Sequence, residues 1–171
     1  MLVGIVAMTP TGLISDGQGM PWNIPTELKF FQNATNEATI IIGANTYRQV
    51  GDTIKSFRKV VILTHSPETF ELDPEGNVST VISVQELGPL IKSTDVNYVA
   101  GGGLTYAQLM PLCDFFYITE VFDMKLKGAI YFPLAEFYDL FELMQYNVEV
   151  DEETSIPLIF KLYRKKRKQN D

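Results

Sequence analysis

The stretch Met20-Pro21-Trp22-Asn23-Ile24-Pro25-Thr26-Glu27-Leu28 holds the only tryptophan of the chain and sets one carboxylate among apolar residues. Pro25 suits the first turn of a helix, where a missing N–H costs little. Glu27, Leu28 and Phe31 then fall at helical spacing and share a face. Water-poor surroundings raise the pKa of a carboxyl group, which suits it to handling protons near neutral pH. The alternative is a helix-start glutamate that complements the macrodipole, with Leu28 and Phe31 as ordinary core.

Four further places carry groups fit for binding an anion. Gly101-Gly102-Gly103 lies between Ala100 and the helix-like Leu104-Thr105-Tyr106-Ala107-Gln108. Glycines there let a backbone approach a phosphate closely, although the run is neither a GxGxxG nor a P-loop. Leu63-Thr64-His65-Ser66 sets a hydroxyl beside the only imidazole, either as a phosphate pocket or as a solvent-facing loop. In Gly43-Ala44-Asn45-Thr46, Asn45 and Thr46 read as helix caps or phosphate contacts. Arg58 stands just before an apolar run, as a clamp for a carboxylate or as a snorkelling surface residue.

The elements that must position these groups alternate along the chain. Strands are predicted at 2–8, 39–43, 59–64, 78–82, 97–100, 114–122, 142–150 and 157–164. Helices are predicted at about 25–35, 44–50, 84–92 and 103–110, with loops at 9–23, 51–57 and 66–77. This is one α/β domain with a parallel sheet and an antiparallel hairpin at its end. Ligands of such sheets bind outside the carboxyl ends of the strands.

Composition narrows the function. The 171 residues carry a net charge of −7, and six of the 14 basic residues lie at 161–168. Residues 1–160 therefore hold 8 basic against 20 acidic groups, a balance that repels nucleic acid. The basic stretch reads as a solvated tail over 164–171, following a domain over 1–163. No apolar run approaches membrane-spanning length. One cysteine, Cys113, allows no internal disulfide and fits a reducing compartment, and with one histidine it leaves no His/Cys metal cage.

Taken together the motifs resemble the dihydrofolate reductases, from Leu2 to about Tyr163. The resemblance rests on Met20 to Leu28, Gly43-x-x-Thr46-Tyr47, Arg58-Lys59, Leu63-Thr64, Ala100 to Gly103 with Tyr106, Thr119, and Phe132-Pro133. It implies a mainly parallel eight-stranded sheet with an antiparallel C-terminal edge strand and four flanking helices. It implies reduction of 7,8-dihydrofolate to tetrahydrofolate with NADPH, by a cytoplasmic monomer that antifolates would also bind. Glu27 would assist protonation at N5, backed by Thr119 and by a water on Trp22. Ile5, Ala7, Leu28, Phe31, Val50, Ile54, Ala100 and Tyr106 would surround the folate rings, and Arg58 would take the glutamate carboxylate. Residues 9–24 would close over the nicotinamide, with Ala7, Ile14 and Met20 near it.

The rest of the cofactor falls to Gly43, Asn45, Thr46, Leu63, Thr64, His65, Ala100, Gly101, Gly102, Gly103, Leu104, Thr105, Tyr106 and Gln108, with the Gly101–Gly102 peptide cis. Ala44 and Asn45 stand where such proteins usually have a basic residue, which implies a weakened grip on the cofactor phosphates. Ser15 and Ala129 depart from the pattern around the mobile loop. The rival readings are a riboflavin-pathway pyrimidine reductase of the same fold, an idle folate-binding homologue, and, last, a nucleic-acid binder using the tail.

Overall fold

The computed structural model describes residues 1–55, 58–123 and 125–167. Its centre is β1 (Leu2–Met8), whose unbroken apolar run LVGIVAM reads as a strand covered on both faces. β3 (Thr39–Gly43), β4 (Lys59–Leu63), β5 (Val78–Val81) and β6 (Asn97–Val99) extend the sheet to one side. On the other side stand β7 (Phe115–Val121), β10 (Pro157–Lys165) and β9 (Phe141–Val150). The order is β5-β4-β3-β6-β1-β7-β10-β9, and β10 alone runs antiparallel to its neighbours β7 and β9.

The C-terminal strand is thus antiparallel as expected, but it is not at the edge. It slides between β7 and β9, and β9 takes the edge. The basic stretch begins inside this strand. Arg164 pairs with Glu142 at 2.7 Å, the Lys165 N–H donates to Asp114, and the tail from Lys168 onward lies outside the described residues.

The two faces of β1 divide the core. Leu2, Val6 and Met8 join the larger cluster, in which Phe116 meets Phe132, Phe137 and Phe141 edge-on at 5.3–5.6 Å. Gly4 is needed there, because a Cβ would stand 2.0 Å from the Phe116 ring. Val3 and Ile5 face the other way, beneath Phe30, Phe31 and Ala34 of α1 (Pro25–Thr35).

Of the four helices expected from the pattern, α1 is present as read and the other three are altered. α2 (Ala44–Ile54) runs past Gly51, where a loop was predicted. That glycine does not stop the helix; it makes room for the Tyr47 ring, 2.8 Å from where its Cβ would be. Residues 56 and 57 of the predicted loop lie outside the described residues. The 84–92 helix is split at Gly88-Pro89 into a 3-10 turn and α3 (Gly88–Ile91). α4 (Gly103–Leu109) follows the glycine run. A fifth, α5 (Leu134–Leu140), has only two turns and one wholly buried residue, Phe137, too little for periodicity to register. A small second sheet also forms, β2 (Leu13–Ser15), inside the predicted loop at 9–23, with β8 (Ile130–Tyr131), in a stretch given no element.

Candidate active site

A cleft of about 690 Å³ opens along the carboxyl ends of the parallel strands. Val6 and Ala7 of β1, Gly43 of β3, Leu63 and Thr64 at β4, Ile82 after β5 and Ala100 after β6 all line it. This is where the reversal of strand order about β1 parts the connections and leaves a crevice.

Glycine geometry shapes its floor. Gly101 has φ +112°, its N–H-bearing neighbour Gly102 follows a cis peptide bond, and the Gly43 N–H donates to the Gly101 carbonyl at 2.8 Å. A Cβ on Gly43 would meet the Thr105 hydroxyl at 2.5 Å, and one on Gly102 would meet the Thr46 hydroxyl at 3.0 Å. β3, α2 and α4 can therefore converge only with glycine at these positions. Asn45, Thr46, Thr64, His65, Gly103, Leu104, Thr105, Tyr106 and Gln108 line the same cleft, as do Ile14 and Met20 from the loop above it. Every residue the resemblance linked to the cofactor is gathered in this one space.

Sequence reasoning passed over Ser83 and Val84, although they follow the end of β5 as Thr64 and His65 follow β4. The same carboxyl-end rule would have found them. Ile130 arrives with β8, a two-residue strand that leaves no pattern to read.

Glu27 lies beside this cleft rather than among its lining residues. It is 6% exposed on α1, over the face of the sheet that carries Ile5. Ala7 pairs with Thr119 across β1 and β7, so their side chains share that face. Burial pushes the Glu27 carboxyl up from an ordinary 4.5 to about 7. Tyr106 is close enough for the Glu27 charge to raise its own pKa further, beyond the larger effect of burial, and its hydroxyl donates to the Ile5 carbonyl at 2.6 Å. Among the described residues no hydrogen bond joins Thr119 to Glu27; Thr119 stands on the face of the sheet that α1 covers. The helix-start reading fails for Glu27, because a glutamate serving only the macrodipole would keep to water.

α1 owes its placement to a distant residue. Ile24 offers no side-chain cap, and the Thr26 N–H instead donates to the Asp151 carboxylate at 2.9 Å. Trp22 packs near Ile24, Val121 and Leu158 with its indole N–H buried and unpaired within the protein. Leu28 and Met20 are exposed toward the open side. Phe31 and Val50 are half-buried and pack with Ile54 and Ala100 around the β3–β4 cluster.

Arg58 is not a surface residue. It is 9% exposed, with Nε donating to the Thr35 hydroxyl at 2.9 Å and one terminal nitrogen to the Gln32 carbonyl at 3.4 Å. Its guanidinium lies 5.7 Å from the Phe31 ring centre, and burial lowers its pKa. A cation held this far from water is poised for an anionic partner.

A family profile described as dihydrofolate reductase matches residues 1–165. The dihydrofolate reductase of Mycoplasma pneumoniae is 33% identical over 134 residues, which span 77% of this chain and 82% of that protein. That of Lactococcus lactis is 28% identical over 166 residues, 96% of this chain and 98% of its own. A solved structure, dihydrofolate reductase from Enterococcus faecalis complexed with NADP(H) and RAB-propyl, superposes with a TM-score of 0.87 at 26% identity, covering 98% of this chain and 97% of that one. A profile spanning nearly the whole chain, over a cleft built at the expected strand ends, places this chain in the dihydrofolate reductase family.

Proposed function

We propose that this chain reduces 7,8-dihydrofolate to 5,6,7,8-tetrahydrofolate with NADPH, adding hydride to C6 and a proton to N5. The observation that carries the reading is the buried Glu27 carboxyl, raised to about 7 beside a cleft shaped for a dinucleotide. The glycines that let β3, α2 and α4 converge fit a bound pyrophosphate, and Thr46, Thr64, His65 and Thr105 add polar groups around it. NADPH, when bound, supplies the hydride.

The chain's own residues do the rest. Ile5, Ala7, Leu28, Phe31, Val50 and Ile54 offer apolar walls for flat rings, and Ala100 and Tyr106 close the boundary between the two ligands. Arg58, fixed by Thr35 and Gln32, takes the glutamate carboxylate with its remaining donors. Glu27 holds a proton near neutral pH for delivery to N5. Trp22 brings a buried, unpaired donor, which costs about 1–3 kcal/mol unless something accepts it, and so anchors a water on that path. Thr119 backs the carboxylate from β7. Ile14 and Met20 shield the ring from solvent when the loop closes. Antifolates would compete for the same walls. The free, buried Cys113 fits a reducing cytoplasm, and we assign the chain as a monomer there.

Dihydrofolate-dependent loss of NADPH absorbance tests the activity, and its absence in a protein that still binds folate would leave an idle homologue. Glu27→Gln keeps the shape and removes the titrating group. It should lower kcat near pH 7 by about 10²-fold or more, with NADPH affinity within a few-fold of the parent. In the parent, kcat/KM should fall as pH rises through about 7, and that dependence should flatten in the variant. Full activity of the variant would remove Glu27 from the mechanism.

A further inference from the structure

The cleft presents an imbalance of charge. No Asp, Glu, Lys or Arg stands among the described residues that line it. A phosphorylated dinucleotide nevertheless brings several negative charges, and at the end formed by α2 and the β4 loop the lining offers Asn45, Thr64 and the exposed His65.

The cation lies one step outside the lining. Arg48 sits on the exposed side of α2, and its Nη1 donates to the Asn45 Oδ1 at 3.1 Å. Its Nη2 donates to the Thr69 hydroxyl at 3.3 Å, and its guanidinium carbon lies 4.8 Å from the Phe70 ring centre. The Thr69 hydroxyl donates to the Ser66 carbonyl at 2.8 Å, and the Ser66 N–H donates to the Thr64 hydroxyl at 3.1 Å. Arg48 thus ties the first turns of α2 to the loop after β4. Both ends of the tie, Asn45 and Thr64, face the cleft.

Two consequences follow from the chemistry of the pair. An arginine has no acceptor, so the atom of Asn45 that meets it must be the amide oxygen, and the amide N–H groups are left as donors. Among the described side chains no carboxylate pairs with Arg48, whose partners there are the Asn45 amide oxygen and the Thr69 hydroxyl. Stacking on Phe70 holds the guanidinium plane in place.

We propose that Arg48 is a positioning residue that sets the preference for a phosphorylated adenosine. It holds Asn45 as a donor and supplies the positive field that the lining itself lacks. The preference for NADPH over NADH then does not rest on residue 44 or 45 alone. This rests on the reading of the cleft as a dinucleotide site.

Calorimetric titration of the full chain with NADPH, NADH and adenosine 2′,5′-bisphosphate tests it. Arg48→Met should weaken NADPH and the bisphosphate about 5- to 20-fold and NADH less than twofold. It should also flatten the dependence of NADPH affinity on salt. Arg48→Lys, which keeps the charge and loses the fork, should fall between. Unchanged NADPH affinity, or equal losses for NADPH and NADH, would overturn the proposal, the second result reducing Arg48 to a structural strap. A parent protein that binds neither dinucleotide would overturn the reading of the cleft instead.

Discussion

Glu27 is held protonated at a stability cost that can be measured apart from catalysis. Its pKa is about 7 in the folded chain against an ordinary 4.5, so the folded state binds the extra proton between these values. Stability therefore falls as pH rises through that window, by a total on the order of 3 kcal/mol. Glu27→Gln has no such term. In denaturant melts it should gain on the parent by most of that amount at pH 8 and by little at pH 4.5. A gap independent of pH would mean that the carboxyl is not the desolvated group described here. The spacing of Glu27 with Leu28 and Phe31 was enough to suggest a shared face. Only the fold shows the carboxyl covered, because the cover comes from the sheet face on which α1 packs.

The elements divide into those written in local pattern and those written elsewhere. β1, β3, β4 and α1 are continuous apolar runs or full helical faces, and they form where the sequence places them. β2 and β8 are too short to carry a period, and their pairing is specified by fit. The Ala129 N–H donates to the Ser15 carbonyl at 3.0 Å, and the Phe132 N–H donates to Gly12 at 2.7 Å. Gly128 is the residue that allows this, since a Cβ there would stand 2.4 Å from Leu13 and 2.5 Å from the Ser15 carbonyl oxygen. The backbone latch also answers the departure at Ala129, since the hold on the loop does not run through that side chain. Gly128→Val should strain or part this pair, at about 1–3 kcal/mol. Cleavage by a protease within residues 16–20 should quicken, and KM for NADPH should rise several-fold. An unchanged cleavage rate would show that the small sheet does not hold the loop.

Across the whole molecule, the first third of the chain is finished by the last. Hydrogen bonds from Thr26 and then from Thr154 hold the Asp151 carboxylate well below the ordinary carboxylate range. Phe30 meets Phe160 at 4.7 Å, and Ile24 packs on Leu158. The stability that Asp151 contributes is present above the usual carboxylate pKa and is lost as pH falls below it. Asp151→Ala should lower Tm by a few degrees at pH 7, and by less in acid. It should reduce kcat more than NADPH affinity, because α1 carries Glu27 and not the cofactor cleft. A melting curve and a titration at two pH values check this, and equal losses at both would deny the linkage.

The place of β10 between β7 and β9 has a consequence for how the protein comes into being. Every residue assigned to the chemistry, from Ile5 to Thr119, is synthesised before β10. Yet β9 has no strand to pair with, and α1 lacks Leu158 and Phe160, until residues 157–165 arrive. Contacts this distant in sequence are closed late and slowly. A nascent chain that has not yet delivered its last strand therefore carries all of its reactive groups and, still, no enzyme.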